Sequence, residues 1–148
     1  MLDTIPSLLP DLSELYEDLH RNPELSFREV RTAGLLADRL EGLGYAVTRE
    51  VGGTGVVAVL ENGAGPCVLL RADIDALPVE EATGLDYASK VRAPGLDGIE
   101  VPVAHACGHD MHAAWMIGVA TVLARSTAEW SGRVLIVLQP AEELGMGA

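Results

Sequence analysis

Two short stretches, Cys67-Val68-Leu69-Leu70 and Val134-Leu135-Ile136-Val137-Leu138, are apolar at every position. A strand with one wet face alternates polar and apolar residues, so runs without alternation predict a sheet covered on both faces. Helical patterns stand between these runs to supply the cover. Leu8, Leu12, Leu15 and Leu19 recur at spacings of four, three and four, an apolar stripe that ends near His20 because Asn22-Pro23 interrupts it. Ser26-Phe27-Arg28-Glu29 reads as a capping box, and Ala33, Leu36, Ala37, Leu40 and Leu43 follow at helical spacing until Gly44. Asp110 is placed to cap a third helix, with Met116, Val119, Ala120 and Leu123 on one face up to Arg125. Residues 46–51 and 55–60 read as strands. The Gly52-Gly53-Thr54-Gly55 between them is a turn and not a phosphate loop, since no helix follows and no Gly-Lys-Ser/Thr occurs. Helices alternating with apolar strands predict an α/β layered sheet. Residues 78–106, rich in Pro and Gly, predict a long irregular connection that serves a site or contains small elements.

Composition narrows the class. At 148 residues and 49% apolar, the chain fits one domain able to bury roughly 70% of the surface its unfolded form exposes. No internal repeat, low-complexity tract or linker interrupts it. The formal net charge of -12, from 22 acidic against 10 basic side chains, argues against a nucleic-acid partner or an anionic membrane surface. No apolar run nears the roughly 20 residues that span a bilayer, and the first residues are acidic where a secretory signal is basic. The expectation is a soluble, cytoplasmic protein. Two cysteines are too few for a disulfide-stapled fold. Cys67 reads as a buried thiol, and Cys107, among histidines, as a chemically special one.

Ligands of open α/β sheets bind beyond the carboxyl ends of the strands. The run ending at Leu70 leads into Arg71-Ala72-Asp73-Ile74-Asp75, and the run ending at Leu138 leads into Gln139-Pro140-Ala141-Glu142-Glu143, so paired carboxylates stand at that edge twice. Between them, His105-Ala106-Cys107-Gly108-His109-Asp110-Met111-His112 gathers three of the four histidines. In extended backbone Cys107 and His109 face the same way, so both can reach one ion while Gly108 lets the chain pass close beside it. Thiolate and imidazole suit zinc and other transition metals, and a carboxylate such as Glu143 would complete a mixed S/N/O site. The helix start that follows would favour the thiolate. Each feature also has a plainer reading. Glu142-Glu143 can be a solvated pair, Asp73 and Asp75 turn or capping residues, His112 a surface or core histidine, and His20 a helix C-terminal residue interacting with the dipole.

The motifs LHRNPELSF, RADIDALPV, HACGHDMHAA and QPAEE together resemble the metal-dependent amidohydrolase family of hippurate hydrolase, N-acyl-amino-acid deacylases and auxin-conjugate hydrolases. The resemblance implies a three-layer α/β/α sandwich with a mostly parallel mixed sheet, zinc-exopeptidase-like and truncated. Residues 1–148 would form the N-terminal part of the catalytic domain, without the lid and dimerisation domain. It also implies two divalent ions, manganese or zinc first, nickel or cobalt next, with Cys107, His109 and Glu143 as ligands. By the same resemblance Glu142 is the general base, Asp75 orients a ligand, and Asp73 is left unassigned. The implied reaction is hydrolysis of an N-acyl amino acid, a small-molecule substrate, to a carboxylate and an amino acid. Family members supply two further histidine ligands after the glutamates, whereas no histidine follows His112 here, so this chain is expected to be inactive alone. Apolar surface left bare by a missing half would drive homo-oligomerisation. Two alternatives stand beside this reading: a non-catalytic split domain that binds metal weakly or pairs with a second polypeptide, and a thiol enzyme with Cys107 as nucleophile and His105 or His109 as base.

Overall fold

The computed structural model describes residues 2–147, with the backbone alone for residue 2. Among these residues three α-helices, α1 (Ile5–Arg21), α2 (Val30–Gly42) and α3 (His109–Arg125), accompany six strands: β1 (Ala46–Val51), β2 (Gly55–Asn62), β3 (Cys67–Asp73), β4 (Arg92–Pro94), β5 (Glu100–Pro102) and β6 (Gly132–Gln139). A four-stranded mixed sheet runs in the order β1-β2-β6-β3. Its β1–β2 and β2–β6 pairings are antiparallel and its β3–β6 pairing is parallel. The tight Gly52-Gly53 turn forces the first, while α3 provides the crossover that a parallel β3–β6 pair requires. The long connection contains the small β4–β5 hairpin.

All three helices share one core with one face of this sheet. Leu15, Leu19, Leu36, Ala37, Leu40, Ala113 and Ile117 meet Val56, Ala58, Ala72, Val134, Ile136 and Leu138 there. The two all-apolar runs therefore behave differently from the expectation of cover on both faces. Among the described residues a helical layer lies on one face of the sheet. In β6, Val134, Ile136 and Leu138 are buried while Leu135 and Val137 are half-buried. In the edge strand β3, Leu69 is 57% exposed and Cys67 is also exposed, not the buried thiol the sequence suggested. These residues sit on the face that lacks a helical partner.

Two predicted caps are also relocated. Ser26 is not the cap of α2. Glu29 occupies that position, and the first free N–H groups, of Arg31 and Thr32, are held instead by the Glu24 carboxylate at 3.0 and 2.7 Å. Helix α3 starts from Gly108, whose φ of 79° suits a residue without Cβ, and Asp110 lies inside its first turn. Because Asp73 of β3 pairs with Gln139 of β6, the segments that follow these two strands emerge side by side. Ile136 lies at the centre of the shared core, and Ile136→Ala is expected to lower the unfolding free energy by about 2–5 kcal/mol in urea denaturation, whereas a loss below about 1 kcal/mol would place the core elsewhere.

Candidate metal centre

Beyond β3 the chain is threaded between two others. The Ala76 N–H donates to Glu24 O, and Leu77 and Ala104 exchange a pair of backbone hydrogen bonds, which lays residues 104–109 alongside Asp75. Asp75 is fully buried, and its carboxylate gathers three groups. The Ser26 hydroxyl and the Glu143 N–H donate to Oδ2 at 2.7 and 3.0 Å, and His109 Nδ1 lies 3.3 Å from Oδ1. Burial alone would push the Asp75 carboxyl up, but these hydrogen bonds outweigh it and hold the group below the ordinary value.

The Asp75 carboxylate correspondingly pushes the pKa of His109 up to about 9 against the opposing effect of burial. Nδ1 of that ring also donates to the Asp75 carbonyl at 3.0 Å, while Nε2 faces Glu142, 3.7 Å from Oε2. Glu143 Oε1 lies 3.9 Å from His109 Nδ1 and, although buried, accepts no hydrogen bond from any described residue. An orphaned buried carboxylate oxygen of this kind is costly unless a cation or donor occupies its front.

Ligand atoms of His109, Glu142 and Glu143 lie within 4.8 Å of one another, and a second such group joins Asp73, His109 and His112. Cys107 stands outside both groups. Its thiol is exposed, and the neighbouring Glu143 carboxylate, with burial and the nearby Glu142 and Asp75 charges, pushes its pKa up to about 11. The helix start does not lower it, because carboxylates crowd the same spot. Asp73, which sequence reasoning left unassigned, is paired with Arg71 at 3.1 Å, and the exposed His112 stacks on His109 with ring centroids 5.6 Å apart.

The histidines outside this centre differ from their sequence readings. His20 is buried and is no mere dipole partner: Nδ1 lies 2.6 Å from Asp110 Oδ2 and Nε2 lies 3.0 Å from Glu81 Oε1. Those two carboxylates outweigh burial and raise its pKa. Asp110 Oδ1 meanwhile accepts the Met111 N–H, so His20 braces the first turn of α3 directly behind His109. His105 is buried with no hydrogen-bond partner for either nitrogen among the described residues, and burial pushes its pKa down to about 4. Ser26 and Glu24 tie the α1–α2 connection to the site; Glu24 carries no signal in the sequence beyond lying in the LHRNPELSF motif, and the signal at Ser26 points to a helix cap and not to Asp75.

Residues 69–148 match the sequence pattern of peptidase family M20/M25/M40. The chain belongs to that family. Hippurate hydrolase of Campylobacter jejuni is 40% identical over 150 aligned positions, covering 99% of this chain and 36% of that protein. N-acetylcysteine deacetylase of Bacillus subtilis is 43% identical over 143 positions, covering 93% and 34%. The crystal structure of the Bacillus subtilis YXEP protein, described as a dinuclear metal binding peptidase from the M20 family, superposes with a TM-score of 0.84 at 40% identity. That superposition covers 96% of this chain and 38% of the other. The M20 relatives are thus much longer, and this chain spans about a third of their length.

The imidazole of His109 offers a direct check on the site. Its NMR titration is expected to centre near pH 9, and Asp75→Asn is expected to move the midpoint down toward the ordinary 6.5. The sign for stability follows: the imidazolium–carboxylate pair contributes fully below about pH 6.5 and fades as pH rises through about 9. An unchanged midpoint in Asp75→Asn would mean that another group holds the proton.

Proposed function

We propose that this chain forms part of a metal-dependent amidohydrolase that cleaves N-acyl amino acids to a carboxylate and a free amino acid, with Cys107, His109 and Glu143 as metal ligands. The observation that carries this reading is the orphaned Glu143 oxygen beside His109, whose Nδ1 is occupied by Asp75. A thiol, an imidazole and a carboxylate suit zinc and similar transition metals, and the ring held at Nδ1 leaves Nε2 as the free donor. Divalent ions in such a site supply polarisation of the scissile carbonyl and a lowered pKa for the attacking water.

The remaining roles belong to the chain. Asp75 fixes the tautomer and direction of the His109 ring. Glu142, with a side chain 41% exposed beside Nε2 of that ring, can take a proton from water and hand it to the leaving amine. To act as ligands, His109 and Cys107 must each shed a proton, since their pKa values lie near 9 and 11. Metal affinity therefore rises with pH through the neutral range. The names of the relatives favour acylated amino acids as substrates, and the part of the relatives that this chain does not span is the natural place for further ligands.

Two measurements test this reading. Titration of the chain with Zn2+ is expected to release protons and to tighten as pH rises, with Cys107→Ser binding more weakly; proton-neutral binding indifferent to that substitution would reject the ligand set. In a chimera that continues this chain with the remainder of the hippurate hydrolase relative, Glu142→Gln is expected to lower hydrolysis of an N-acyl amino acid by about 100- to 10,000-fold with metal retained. Full activity in that variant would reject Glu142 as base.

A further inference from the structure

Neighbouring carboxylates on Glu142 and Glu143 reach His109 at different ring nitrogens, Nε2 and Nδ1, and the turn that carries them is built on Ala141. This alanine is fully buried and left-handed, with φ 53° and ψ 35°, a conformation that residues with a Cβ adopt only when their surroundings impose it. The backbone after it hangs from the same residue. The Ala141 carbonyl accepts the N–H groups of Leu144 and Met146, and the Glu142 carbonyl accepts that of Gly145.

The Ala141 amide is bonded by Glu29, 112 positions earlier in the chain. Its side chain is buried completely at the start of α2. Oε1 accepts the Ala141 N–H at 2.9 Å, and Oε2 accepts the hydroxyl of Thr54 from the β1–β2 turn. Its carbonyl accepts the Ala33 N–H at 2.8 Å, which fixes Glu29 to the helix it caps. Two buried carboxyl groups thus grip alternate amides of one short segment: Glu29 holds that of Ala141, and Asp75 holds that of Glu143 at 3.0 Å. Between these clamps the Glu143 side chain is 15% exposed beside His109 while that of Glu142 is 41% exposed. Neither metal ligation nor proton transfer employs Glu29.

We propose that Glu29 is a positioning residue: by accepting the Ala141 N–H it holds the left-handed turn that sets Glu143 beside Nδ1 of His109 and the more exposed Glu142 beside Nε2. The inference rests on the reading of Glu143 as a metal ligand. It separates from a merely structural role through glutamine, which retains both contacts because its carbonyl oxygen accepts the Ala141 N–H and its amide donates to Thr54 Oγ1.

The test is Co2+ titration of the full 148-residue chain and its variants, followed by visible absorption, with amide NMR dispersion as the check on folding. Wild type is expected to bind with a thiolate-to-cobalt band. Glu29→Ala is expected to bind about 10- to 100-fold more weakly with altered ligand-field bands, and Glu29→Gln to stay within about threefold of wild type with an unaltered spectrum. Wild-type affinity and spectrum in folded Glu29→Ala would overturn the positioning role while leaving the metal site standing. Loss of affinity in folded Glu29→Gln equal to that in Glu29→Ala would overturn it as well. Failure of wild type itself to bind Co2+ would instead reject the metal reading, and this inference with it. Should Glu29→Ala not fold, Glu29→Asp carries the test, since its shorter side chain withdraws the carboxylate from the Ala141 N–H while keeping the charge. Weakened Co2+ binding in the folded Glu29→Asp variant supports the role, and unchanged binding overturns it.

Discussion

The arrangement at the strand ends depends on one buried carboxylate. Asp75 is fully enclosed and stays ionisable because an imidazole, a hydroxyl and a backbone N–H converge on it from three separate parts of the chain. Burying such a group without these partners would cost several kcal/mol. The donors consequently have to arrive together: Ser26 from the α1–α2 connection, His109 from the first turn of α3, and Glu143 from the segment beyond β6. Their convergence makes the site a product of the whole fold and not of a local loop.

The same constraint explains why an N-terminal segment with no reacting group of its own is tied so closely to the centre. Glu24 binds the first amides of α2 and receives the Ala76 N–H at its carbonyl, and Ser26 reaches Asp75. His20 braces Asp110 from behind, at the turn that presents His109. Helix α1 and its connection act as a scaffold against which the ends of β3 and β6 are set. Because β3 and β6 are parallel neighbours with Asp73 opposite Gln139, their two acidic segments need travel only a few residues to meet.

Much of this was legible in the sequence, and the boundary is physical. Helical spacing located α1, α2 and α3, and the apolar runs located β3 and β6, because burial on the helix-bearing face leaves a periodic signature. Cover on both faces was not legible, since apolar side chains at Leu69, Leu135 and Val137 look alike in sequence whether or not a partner lies over them. The clustering of His109, Glu142, Glu143 and Asp75 followed from their places after strands. The direction of the Cys107 shift did not. A helix start lowers a thiol pKa in isolation, but here three carboxylates reach the same space from distant positions and reverse the sign. Capping misled for a related reason. Ser26 and Glu29 have the residue types and spacing of a capping box, yet both side chains are taken by tertiary partners, Asp75 and Ala141.

Membership of the M20 family and a centre rich in unneutralised carboxylates converge on cation chemistry. Asp75 lies against the imidazole of His109, Glu143 offers an oxygen that no described residue bonds, and Cys107 is the soft ligand we propose to complete the set. The most direct measurement is X-ray absorption of the Zn2+-loaded Cys67→Ser chain, in which Cys107 is the sole cysteine. One sulfur scatterer at about 2.3 Å together with imidazole and carboxylate scatterers at about 2.0–2.2 Å is expected. A zinc environment of oxygen alone, lacking both sulfur and imidazole, would contradict the site.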